Sequence, residues 1–98
     1  MRNRLQRRIG YSFRDLYYKP RGVPLRQLDE VAITKEELET LRLRFIEKLE
    51  QVDAAKRMGI SRSQYQRDIT AAMKKITKCI IEGKALRIVD YLDLQRKL

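Results

Sequence analysis

Apolar residues recur at helical spacing through much of this chain. At about 100° per residue, Tyr65, Ile69, Ala72, Met73 and Ile76 fall on one face, which Cys79 and Ile80 extend, predicting a helix over residues 62–81. An earlier helix is expected over residues 35–48. There Leu38, Leu41, Phe45 and Leu49 share a face, Ile46 lies at its margin, and Leu43 points elsewhere and needs a second neighbour, such as the N-terminal arm or another subunit. Thr34 is the expected N-cap, with Glu37 three residues on to complete a capping box and Glu36 and Glu39 favourably near the positive end of the dipole. Leu25, Leu28, Val31 and Ala32 follow Pro24 at helical spacing and predict a further short helix.

Between the two longer helices, residues 51–65 read as a helix-turn-helix. Ala54 and Ala55 are small enough to let a second helix cross closely. Met58 belongs to the same core, Gly59 supplies the positive φ of a tight turn, Ile60 plugs the core from that turn, and Ser61 caps the next helix. An ordinary pair of antiparallel helices is the plainer alternative. The motif core is therefore expected to be Ala54, Ala55, Met58, Gly59, Ile60, Ser61, Tyr65, Ile69, Met73 and Ile76.

Opposite the apolar face of the long helix lie Ser63, Arg67, Thr70, Lys74 and Lys78, flanked by Gln64 and Ala71, with no acid among them. A solvent-facing stripe usually mixes signs to gain i,i+4 pairs. Small polar groups and an Arg at the start, followed by lysines, suit a helix whose first turns meet base edges and whose later turns track phosphates. Arg67 can donate two parallel bonds to guanine, Gln64 or Gln66 can pair with adenine, and Ser63 and Thr70 are small enough for close approach. These five are the expected base readers. Arg62, Lys74, Lys75 and Lys78 are expected to contact phosphates, a salt-sensitive role without sequence information.

Charge adds a second region. The chain has 98 residues and a formal charge of +10, and residues 1–26 hold eight bases (Arg2, Arg4, Arg7, Arg8, Arg14, Lys19, Arg21 and Arg26) against Asp15 alone. Residues 1–24 thus read as a basic arm, residues 25–88 as the helical domain, and residues 89–98 as a tail or short helix carrying Tyr91, Leu94 and Leu98. Arg2, Arg4, Arg7, Arg8, Lys19 and Arg21 are expected phosphate contacts. Leu5, Ile9, Tyr11, Phe13, Leu16, Tyr17 and Tyr18 supply apolar surface that a free tail would not need, so part of the arm should dock. The prolines and glycine of Lys19-Pro20-Arg21-Gly22-Val23-Pro24 mark a boundary. The expected fold is all-α, a helix-turn-helix DNA-binding domain with a basic arm. Gly83 ends the long helix, leaving room for a short extended segment at residues 85–89 that would pair with Tyr17 and Tyr18.

Several functions are excluded by residue type. With no His and one Cys, neither a His-dependent nucleophile nor a His or multi-Cys metal site can be assembled, and no convergent acid pair is visible. No enzyme, cofactor or metal is expected. Cys79 reads as a small buried hydrophobe in a reducing cytoplasm. The longest wholly apolar run is Cys79-Ile80-Ile81, and the basic N-terminus is not followed by a signal-type apolar segment, so no membrane partner is expected.

Four blocks in order carry a family resemblance: Tyr18-Lys19-Pro20-Arg21-Gly22-Val23-Pro24-Leu25, Glu36-Glu37-Leu38-Glu39 with Arg42-Leu43, Ala54-Ala55 with Met58-Gly59-Ile60-Ser61-Arg62, and Gly83-Lys84-Ala85-Leu86-Arg87-Ile88. Over residues 17–88 the chain resembles a small prokaryotic family of uncharacterised proteins, a domain of unknown function predicted to bind DNA. The resemblance implies a helix-turn-helix similar to region four of sigma factors, with Tyr65, Ile69, Met73 and Ile76 following that region's core spacing. The chain departs from the family pattern in having Phe45 near a usual acid, Lys48 near a usual glycine, and Tyr65 for a smaller residue or Phe.

The expected function is sequence-specific binding of double-stranded DNA by a small transcriptional regulator, acting either as one copy or as a homodimer that covers two half-sites. Two other readings use different surfaces. One is an RNA or single-strand binder stacking bases on Tyr11, Phe13, Tyr17 and Tyr18. The other is a sigma-like module docking on RNA polymerase.

Overall fold

The computed structural model describes residues 7–14 and 16–91. Two strand segments and three helices lead to a last strand: β1 (Tyr17–Tyr18), β2 (Glu30–Thr34), α1 (Lys35–Leu41), α2 (Gln51–Met58), α3 (Arg62–Glu82) and β3 (Ala85–Val89). The fold is therefore mixed α/β, and the all-α expectation is corrected by a three-stranded sheet in the order β1-β3-β2. β3 pairs antiparallel with β1, Tyr17 opposite Arg87, and parallel with β2, from Glu30 opposite Ala85 to Thr34 opposite Val89. The three helices form the crossover that two neighbouring parallel strands require.

The stretch expected to be a short helix over residues 25–32 is divided. Pro24 opens a single tight turn, Leu25–Gln27, and the chain then extends. Val31, Ile33 and Thr34 are β-branched and suit a strand, and β3 supplies the hydrogen-bonding partner. Thr34 ends β2 and caps α1: its side chain accepts from Glu37 N–H at 3.1 Å, and the Glu37 carboxylate accepts from Thr34 N–H at 2.9 Å.

After α1 the helix widens over Arg42–Ile46, where Glu47 N–H donates to Arg42 C=O, five residues back, at 2.9 Å. An extra residue in the turn moves the following side chains round the axis. Leu43, expected to point away, is buried, while Phe45 and Ile46, expected inward or marginal, are exposed. Lys48 then reverses the chain at φ +61°. Left-handed backbone is costly for a residue with a Cβ. Lys48→Gly is expected to stabilise the fold by about 0.5–1 kcal/mol, which thermal melting would register as a higher Tm.

α3 is the spine of the molecule. Its first half packs Tyr65 and Ile69 against Leu43, Ala54, Ala55 and Met58; its second half packs Ala72 and Ile76 against Ile33 and Ile88 of the sheet. Ala55 is 2% exposed at the α2–α3 contact. Ala55→Leu should therefore cost about 1–3 kcal/mol by overpacking, and wild-type stability in a urea melt of that variant would argue against so close a crossing.

The first part of the arm is built into the body. Arg8 N–H donates to Met58 C=O at 3.0 Å, Gly10 N–H to Glu39 Oε2 at 2.9 Å, and Leu16 C=O accepts from Ile88 N–H at 3.0 Å. Glu39, only 2% exposed, also takes two bonds from Arg42, whose guanidinium lies 5.2 Å from the centre of the Tyr11 ring. Tyr11 and Phe13 meet edge to face at 4.9 Å.

Candidate nucleic-acid interface

The α2–α3 turn follows local chemistry. Gly59 has φ +70°, its N–H bonds back to Lys56 C=O at 3.1 Å, and Ile60 N–H bonds to Ala55 C=O at 3.1 Å. A Cβ at Gly59 would lie 2.7 Å from an Arg8 guanidinium nitrogen, which the exposed Arg8 side chain can give up by moving, so it is the left-handed backbone that calls for glycine. Ser61 caps α3 by accepting from Gln64 N–H at 3.0 Å. Gly83, at φ +67°, ends the helix.

Of the expected base readers, Ser63, Gln66, Arg67 and Thr70 are exposed and Gln64 is half-buried, all on the first turns of α3. Arg62, Lys74 and Lys78 are exposed on the same helix. Lys78 shares its charge with Glu82 at 3.3 Å. Lys75 is half-buried and bonded to Glu37 of α1 at 2.8 Å, which draws it into the fold. Lys19 curls onto Val23 C=O at 2.8 Å, while Arg8 and Arg21 are exposed. Arg2 and Arg4 lie outside the described residues. Arg7, expected at phosphates, instead lies buried with its Nε 2.8 Å from Asp68 Oδ2.

Asp68 escaped the reading of the sequence. It is 5% exposed, and the buried face of α3 is turned toward Asp68 and Lys75 and away from the other margin. Met73, expected in the motif core, is consequently 48% exposed, and Ile80 is 75% exposed. The rest of that core divides between buried Ala54, Ala55, Met58, Tyr65 and Ile69, half-buried Gly59, Ile60 and Ile76, and exposed Ser61. A signal was available: an acid among Tyr65, Ile69 and Ala72 within a basic helix needs a cationic partner if it is buried.

Tyr65 is fully buried, and its hydroxyl donates to Thr40 C=O at 2.7 Å. Burial pushes its pKa from 10.0 up to about 12, outweighing the lowering effect of Arg44. A folded-state value above the unfolded one means that its contribution is intact below pH 10.0 and is lost as pH rises through about 12. Stability should fall over that range in the wild type and less steeply in Tyr65→Phe, as denaturant melts at several pH values would record. Cys79 donates to Ala85 C=O at 3.6 Å, and burial raises its thiol pKa.

The outward face of α3 thus carries Arg62, Arg67, Lys74 and Lys78. The only carboxylates of the helix are inward-facing Asp68 and Glu82 in the last turn. α2 adds exposed Lys56 and Arg57 near the turn, with Asp53 one turn earlier. Among the described residues no helix is long and apolar enough to cross a membrane.

The chain is 45% identical over 82 residues to a UPF0251 protein of Desulforudis audaxviator, which covers 84% of this chain and 54% of the relative. It is 44% identical over 82 residues to one of Halothermothrix orenii, covering 84% and 61%. A UPF0251 protein of Methanosarcina acetivorans is 46% identical over 87 residues, covering 89% and 78%. The chain therefore spans about half the length of the first of these relatives, at 54%. No solved structure matches it. The model of the family described as "Protein of unknown function DUF134" matches residues 1–96, and the chain belongs to that family.

Proposed function

We propose that α2, the Gly59 turn and α3 act as a helix-turn-helix that binds double-stranded DNA sequence-specifically, and that the chain is a transcriptional regulator and not an enzyme. The observation that carries this reading is the outward face of α3. From Arg62 to Lys78 it exposes bases and small polar groups, and the one carboxylate within those turns is buried against Arg7. Electrostatic attraction to phosphates needs such a face, and base reading needs its first turns free of bulky apolar groups. Similarity of the helix pair to region four of sigma factors belongs to the same proposal, as do the cytoplasmic setting and contact with RNA polymerase.

Single-strand or RNA binding would draw on Tyr17 and Tyr18, which are exposed, since Tyr11 and Phe13 pack on each other and Arg42 lies over the Tyr11 ring. The test is titration against random duplex, single-stranded DNA and RNA at two salt concentrations, followed by selection from a random duplex pool. Enrichment of one duplex motif is the expected result. Equal affinity for all three polymers with no enriched motif would overturn it. Sedimentation of the DNA complex would distinguish one bound copy from the homodimer, which would place two copies of α3 on two half-sites.

A further inference from the structure

Arg7 and Asp68 join the arm to α3 with very little solvent contact: Nε donates to Oδ2 at 2.8 Å, and the two side chains are 3% and 6% exposed. The other carboxylate oxygen, Oδ1, accepts from Gln64 Nε2 at 2.7 Å. An ionised carboxylate only accepts, so this bond decides which end of the Gln64 carboxamide faces inward. With Nε2 committed there, Oε1 faces the surface and accepts from Arg67 Nη2 at 2.8 Å. Four side chains make one line of hydrogen bonds, running from a buried ion pair to an exposed guanidinium.

A surface arginine held by nothing must be ordered when it binds, at a cost in side-chain entropy. A guanidinium tied through Gln64 to a buried pair has met part of that cost on folding, and its remaining N–H groups point from a defined position. We propose that Arg7 and Asp68 are positioning residues for base selection, holding Arg67 ordered through Gln64 before a duplex arrives. The inference rests on the base-reading role of α3 given above. It reassigns Arg7 from general phosphate attraction to selectivity.

The test uses the full chain with Arg7→Met and Asp68→Leu combined, which removes the ion pair without stranding either charge in the interior. In the DNA-free protein, NMR of Arg67 should show separate, slowly exchanging guanidinium nitrogens in the wild type and averaged ones in the double variant. On two duplexes that differ only at the base pair relaxed by Arg67→Ala, the double variant should lose about tenfold in discrimination. In an Arg67→Ala background the Arg7→Met/Asp68→Leu change should take away no further discrimination, because a positioning residue acts only through the side chain it holds. Unchanged Arg67 signals, or wild-type discrimination in a folded double variant, would overturn the proposal. A third result is distinguishable from both: Arg67 loosens in the variant, but the wild type itself selects no duplex. The hydrogen-bonded line would then stand, and the proposal would fall because α3 does not read bases.

Discussion

Asp68→Ala is expected to lower the unfolding free energy by about 3–5 kcal/mol. The substitution takes away the carboxylate 2.8 Å from the Arg7 Nε, at a site where the two side chains are 3% and 6% exposed, and removes the acceptor of Gln64 Nε2 as well. An exposed pair such as Lys78–Glu82, with side chains 54% and 47% exposed, is worth far less. The difference is desolvation: a guanidinium already taken out of water depends on its counter-charge. Domains of this size are stable by only about 5–15 kcal/mol, so the variant should melt far earlier or fail to fold. Urea denaturation decides the point, with Arg7→Met/Asp68→Leu as the control that should recover most of the loss. A cost below about 1 kcal/mol for Asp68→Ala would place the pair among surface ion pairs and contradict its burial.

The same pair shows where local sequence pattern stops being informative. Caps and turns were legible because their chemistry lies within four residues: Thr34 with Glu37, Ser61 with Gln64, Gly59 and Gly83 at left-handed backbone. The length of α3 was legible for the same reason. Pairing between β2 and β3 was not, because Glu30 finds Ala85 only after the intervening helices have folded back. Without that partner, Leu25, Leu28, Val31 and Ala32 satisfy a helical period as readily as the turn and strand that form. The segment at residues 85–89 could be placed opposite Tyr17 and Tyr18 from its own bounds at Gly83, but β2 alongside it could not.

Side-chain roles divide in a similar way. Periodicity assumes a uniform turn and so gives Leu43 no neighbour, and the wide turn at Arg42–Ile46 breaks that assumption. Charge composition groups Arg7 with the other arm arginines, because it does not distinguish a buried guanidinium from a solvated one. Residues on the outward face of α3 were placed on one side of the helix from spacing alone. What spacing could not supply is the bonding among them, through which Gln64 is shared between Asp68 and Arg67.

Arg67→Ala is the second large expectation, with a cost of about 1–3 kcal/mol on the preferred duplex and relaxed selectivity at one base pair. The side chain is exposed on the second turn of α3, opposite Tyr65, and its guanidinium is anchored by one bond to Gln64 Oε1 at 2.8 Å. One Nη is thus used for orientation, and the other N–H groups remain to donate in the parallel pair that guanine O6 and N7 accept. Lys78→Ala is the contrast. Its ammonium lies three turns further along and is already shared with Glu82, so its loss should weaken every duplex by a similar and smaller amount. Competition binding against a panel of single-base-pair variants, at fixed salt, separates the two outcomes. If Arg67→Ala shifts all duplexes uniformly, as Lys78→Ala should, then Arg67 contacts phosphate, and selectivity falls to Gln66, Thr70 or the shape of the duplex.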